Sequence, residues 1–126
     1  MHGYPSPKPA EQYRKLQELA LKGKLGASSA DGSCVYESKG SFCAVGALFN
    51  KAQHKDLKAR DLNTKGIGFV AHQIGKKNLE AVTGLRLNEL VKLQGLHDEN
   101  AWRLSNGDQY SIRRSEFFQY LEERQK

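Results

Sequence analysis

All three prolines of this chain, Pro5, Pro7 and Pro9, stand within its first nine residues. A proline inside a helix removes a hydrogen bond and clashes with the preceding turn. After Pro9, nothing of that kind breaks a helix, and the spacing of apolar residues says where helices form. Leu16, Leu19 and Ala20, with Tyr13 three residues before Leu16, share one face of a helix over residues 10–21. Pro9 suits its start and Gly23 lies just past its end. Ile67, Val70, Ala71 and Ile74 mark a helix ending near Gly75, and Leu79, Val82 and Leu85 mark a short one after it. Leu87, Leu90, Val91, Gln94 and Leu96 belong to a further helix, capped by Thr83 or Asn88 and ended by residues 97–100. Ser115 caps a last helix with Phe117, Phe118 and Leu121 inward.

Between these segments the pattern changes. Residues 26–33 form a small-residue loop ending in an Asp31-Gly32 turn signal. Cys34-Val35-Tyr36 is short and β-prone, and Lys39-Gly40 can turn the chain. Residues 41–49 are too apolar for a surface loop and predict a helix from Ser41 to about Ala52. Gly46 within it is a poor helix former and suggests close approach by another element. Residues 51–65 are basic and poor in apolar residues, and read as a solvated connection. Trp102 and Leu104, then Tyr110 and Ile112, alternate with polar residues around Asn106-Gly107, which predicts a β-hairpin near residues 101–113. The expected fold is mainly α (α+β), with about five short helices and one or two small β-hairpins. Residues 1–9 are expected to be a mobile arm, and residues 10–126 a single compact helical domain.

With 126 residues, 38% of them hydrophobic, the chain can build a modest core and leaves little room for a deep enclosed active site. No apolar run approaches the ~18 residues of a membrane span. The first residues lack the apolar middle of a secretory signal. A cytoplasmic protein without membrane contact is therefore expected. Cys34 and Cys43 fit no disulfide scaffold and read as reduced thiols. The net charge of +6 favours encounters with nucleic acid, acidic proteins or phosphates, although plain solubility also accounts for it.

The segment Ser41-Phe42-Cys43-Ala44-Val45-Gly46-Ala47-Leu48, with Leu93-Gln94-Gly95-Leu96-His97-Asp98 later, resembles the signature of a widespread, uncharacterised family of small phage and actinobacterial proteins. Those begin with an amphipathic helix. They continue with a Cys-(Ala/Leu)-x-Gly-x-Leu helix, then a Leu-x-x-Leu-(Asn/His)-Asp ending and a C-terminal helix. The chain departs from the usual pattern in having His97 where Asn is common, and in the insertion that delays the last helix. The resemblance implies phage or prophage origin and no agreed activity.

Three kinds of chemistry remain to be weighed. Cys43 at a helix start would have its thiolate favoured by the helix. With His97 as base it would make a cysteine-dependent hydrolase or transferase. Asp98, adjacent to His97 and about 100° away on the same helix, is poorly set to orient it. The structural alternative is a buried, inert thiol packed beside Phe42 and Val45. Cys34, Cys43, His54, His72 and His97 lack the close spacings of a metal site, so no metal and no cofactor is expected. Gly66-Ile67-Gly68 lacks the ending of a phosphate loop. Lys51, Lys55, Lys58, Arg60, Lys65, Lys76 and Lys77 could contact nucleic acid or an acidic partner, but no nucleic-acid motif accompanies them. Lys76 and Lys77 follow a helix whose C-terminal dipole would favour them. The favoured reading is a non-catalytic binding protein that engages a host or phage protein, a host-defence inhibitor being one form. Behind it stand the Cys43 enzyme and a weakly binding nucleic-acid accessory protein.

Overall fold

Pro9 opens the first helix, α1 (Pro9–Leu21), at a position where its missing N–H has no partner to lose. The protein is described by a computed structural model covering residues 6–26, 36–38 and 40–126. After α1 come two short antiparallel strands, β1 (Glu37–Ser38) and β2 (Ser41–Phe42), and a single 3-10 turn at Gly46–Leu48. Seven helices follow: α2 (Lys51–Ala59), α3 (Ile67–Ile74), α4 (Lys76–Thr83), α5 (Leu87–Glu99), α6 (Ala101–Asn106), α7 (Gln109–Arg113) and α8 (Glu116–Arg124). The fold is thus mainly helical with one small sheet, and the described residues hold eight α-helices where about five were expected.

Helix α1 buries Tyr13, Leu16 and Ala20, and packs most closely against α8, whose Phe117, Phe118 and Leu121 are buried. Polar side chains fix the register of the two helices. Gln17 donates to Oε2 of Glu122 (2.6 Å), and Gln125 donates to Oε1 of Gln17 (2.6 Å). The α5 residue Glu89 accepts from the Tyr120 hydroxyl (2.6 Å) and from Arg124 (3.1 Å), both on α8. Burial, reinforced by the neighbouring Glu89 carboxylate, pushes the Tyr13 hydroxyl up to about 12. The core joins residues from every helix, including fully buried Leu16, Leu57, Leu79, Leu90, Leu93, Leu104 and Leu121. Each such leucine contributes about 1.5–3 kcal/mol by leaving water.

Several expectations hold. The helices at 67–74, 87–99 and 116–124 are where periodicity placed them, and the short one between holds Leu79 and Val82 but ends before Leu85. Ser115 caps α8, its hydroxyl oxygen accepting from the Phe118 amide at 3.1 Å. Neither Thr83 nor Asn88 caps α5. Glu80 of α4 does so instead, accepting from the Leu87 amide at 2.8 Å.

Three expectations fail. Residues 41–52 are not one helix. Ser41 and Phe42 are a strand, and only the 3-10 turn separates them from α2. The reason lies at Gly46, where a Cβ would stand 1.9 Å from the Tyr36 carbonyl oxygen. Close approach of the Tyr36 backbone, not helix continuity, dictates that segment. Residues 51–65 are not a connection throughout, because residues 51–59 are α2. Its cap is a reciprocal pair: Asn50 accepts from the Gln53 amide (2.9 Å) and Gln53 from the Asn50 amide (2.7 Å). Residues 101–113 form α6 and α7 and no hairpin. Asn106 ends α6, and Asp108 caps α7 by accepting from the Ser111 amide (2.8 Å).

The expected arm is described from Ser6 onward. Pro9 already belongs to α1, and the Pro7 carbonyl lies where a Cβ on Gly84 would be, 2.1 Å away. Residues 1–5, most of the 26–33 loop, and Cys34 and Val35 of the expected short strand lie outside the described residues. The observed hairpin sits just after them, with Glu37 opposite Phe42 and Ser38 opposite Ser41.

Candidate functional site

Cys43 follows β2 and has no surface exposed to solvent. It does not start an α-helix, so no helix dipole acts on its thiol. Its Sγ accepts the Gly46 amide at 3.3 Å. His97 and Asp98 stand at the end of α5, where His97 is fully buried. Contrary to the expectation from their adjacency, the two do pair: His97 Nδ1 lies 3.0 Å from Oδ1 of Asp98. Residues next to each other at a helix end can meet when the carboxylate folds back over the last turn. Nε2 of His97 accepts the Gly26 amide at 3.0 Å, so Nδ1 carries the hydrogen and donates to Asp98. Gln94 completes the chain, donating to Asp98 Oδ1 (2.8 Å) and accepting the Val45 amide on its Oε1 (3.2 Å). The lone pair a general base would use is thus held by a backbone amide. The arrangement ties the Gly26 loop, the 43–49 segment and α5 together, and a thiol without exposed surface meets no substrate.

His54, on α2, is buried between Phe42 (ring centroids 5.3 Å apart) and Phe49 (5.9 Å). Neither of its ring nitrogens has a hydrogen-bond partner of good geometry. Burial pushes the imidazole below its ordinary value, while the Gly46 backbone and Glu37 oppose the shift. His72 is exposed on α3, and Cys34 lies outside the described residues. Among the described residues, no three His, Cys, Asp or Glu side chains gather as metal ligands.

The basic residues divide into separate groups. Lys51, Lys55 and Lys58 recur at helical spacing and form one stripe on α2. Lys58 is paired with Glu37 (2.6 Å) and Arg60 with Asp56 (3.2 Å). Lys51, Lys55 and Lys65 are exposed, with no ion pair among the described residues. Lys76 and Lys77 follow the end of α3 as expected, but they also open α4, because Gly75 (φ 95°) turns the chain straight from α3 into it. Lys76 also lines an open hollow of about 580 Å3 with Glu80, Arg86, Leu87, Asn88 and Val91.

The feature that sequence reasoning missed is on α6 and α7. Each helix anchors itself by one buried residue, Leu104 or Ile112. Gly26 fixes the inner face of α6, since a Cβ there would meet the Ala101 carbonyl and Ser105 at 2.7 Å. Trp102, the chain's single tryptophan, is left 77% exposed, and Tyr110 is left 68% exposed. Arg103, Arg113 and Arg114 are exposed on or beside the same two helices, and none makes an ion pair among the described residues. The Arg114 guanidinium lies 5.2 Å over the Tyr110 ring and donates to its hydroxyl, and Arg113 lies 5.8 Å over Phe118. Reading residues 101–113 as a hairpin hid this surface. The signal available was a lone tryptophan and three arginines within a dozen residues of one another. Set beside family models, curated proteins and solved structures, the chain matches none of them.

Proposed function

We propose that the protein is a non-catalytic binding protein that engages a host or phage macromolecule, most directly a protein, through the outer face of α6 and α7. The observation that carries this reading is the exposure of Trp102 and Tyr110 on helices whose Arg103, Arg113 and Arg114 make no ion pair among the described residues. Tryptophan, tyrosine and arginine are the residues that most often dominate binding energy at protein interfaces. Phage or prophage origin, and a role such as host-defence inhibition, rest on the signature resemblance of residues 41–48 and 93–98.

The cysteine-enzyme alternative finds little support in a sealed Cys43 and a His97 whose nitrogens are both engaged. A nucleic-acid accessory role would rest on the α2 lysine stripe with Arg60, Lys65, Lys76 and Lys77, and α2 itself carries no Phe, Tyr or Trp. Affinity capture from a host lysate separates these readings. Capture should survive Cys43→Ala and be lost with Trp102→Ala. Capture that depends on Cys43 and ignores Trp102 would reverse the ranking.

A further inference from the structure

We infer that the α6–α7 surface takes an acidic protein segment, its carboxylates held by Arg103, Arg113 and Arg114 and its apolar side chains laid on Trp102 and Tyr110. This rests on the binding reading above and adds the chemistry of the partner. The argument is charge complementarity. Within residues 101–115 the only carboxylate is Asp108, which is occupied in capping α7. The three arginines therefore outnumber the carboxylates of this segment, in a chain that carries +6 overall. Two of them lie beside aromatic rings. A guanidinium held beside a ring loses less freedom on binding, and the N–H groups it still has available match a carboxylate. The lysines of α2 would add long-range attraction for the same partner.

Two other anionic partners fit less well. A single-stranded nucleic acid needs open ring faces on which successive bases stack. Among the described residues, α6 and α7 offer two exposed rings, Trp102 and Tyr110. An anionic membrane is met by a long amphipathic helix lying in the interface. Helices α6 and α7 have six and five residues.

The single tryptophan makes the test direct, because its emission reports on this surface alone. The full chain is titrated with a glutamate- and leucine-containing peptide, its glutamine analogue, oligothymidylate, and vesicles of anionic lipid, near about 0.15 M salt. The acidic peptide should shift Trp102 emission saturably. The glutamine analogue should bind at least about tenfold more weakly. Arg103→Glu with Arg114→Glu should abolish the acidic-peptide response while the circular dichroism stays that of the parent. Equal binding of the two peptides, or tighter binding of the oligonucleotide or the vesicles at Trp102, would overturn the inference. So would silence to every probe. If host-lysate capture still required Trp102 in that case, the binding reading would stand and only the acidic partner would fall.

Discussion

Residues 43–49 and residues 101–113 are opposite kinds of structure. The first segment is seven consecutive buried residues with no regular element beyond one 3-10 turn. The second is two regular helices in which only Leu104 and Ile112 are buried. Burial and regularity are separate matters here. The buried segment satisfies its backbone with borrowed groups. Val45 donates to the Gln94 side chain and Gly46 to the Cys43 sulfur, while Ala47 and Leu48 close local turns. The exposed segment satisfies its backbone internally and leaves its side chains outward. The first therefore serves the core, and the second is available to a partner.

The largest test of this contrast is Gly46→Ala. Its methyl group would fall on the Tyr36 backbone, which has no flexible end to give way. A loss of at least about 3 kcal/mol in denaturant unfolding is expected, or failure to accumulate folded protein. An unchanged midpoint would mean that the 43–49 segment is not pinned by Tyr36. Gln94→Leu comes next, since it strands the buried Val45 amide and takes a donor from Asp98. The expected loss is about 1–3 kcal/mol, and a neutral result would show that water replaces the side chain.

The pH dependence is smaller and concerns His54. Its folded value lies below the ordinary value of 6.5, so the unfolded chain binds the extra proton first. Stability should therefore fall as pH drops below about 6.5. His54→Phe should flatten the thermal-midpoint profile between about pH 7 and pH 5. Parallel profiles for the two proteins would remove His54 as the source. The smallest stability effect belongs to the other region. Trp102→Ala should change unfolding by no more than about 0.5 kcal/mol, as exposed positions do, while removing partner capture. A destabilisation comparable to that of Gly46→Ala would show that α6 is part of the core after all.

How far the fold could be read from the sequence follows the same contrast. Where apolar residues repeat along one face, as in α1, α3, α5 and α8, the helices stand where periodicity put them. A short apolar run such as residues 41–49 carries no period, so its conformation was set by the Tyr36 and Gln94 contacts, which lie far off in sequence or just outside it. Helix α2 buries only His54 and Leu57, and its charges hid it, although the Asn50–Gln53 box was legible as a helix start. Around Asn106-Gly107 the turn signal was real, but it joined two helices. Trp102 and Tyr110 alternate with Leu104 and Ile112 by polarity alone, and that pattern cannot report that the larger rings face outward. At the candidate site, the burial of Cys43 was foreseeable from its neighbours. The occupation of His97 by Gly26 was not, since it spans 71 residues.

The pairing of α1 with α8 sets an order in time. A chain leaves the ribosome from its N-terminus, so α1 is made early. Gln17 waits for Glu122, 105 residues later in synthesis, and Gln12 waits 71 residues for Thr83. Through that interval Tyr13, Leu16 and Ala20 form an apolar stripe whose main dock does not yet exist. A nascent chain stalled before Glu116 therefore carries α1 without its main packing partner, and synthesis of α8 supplies it.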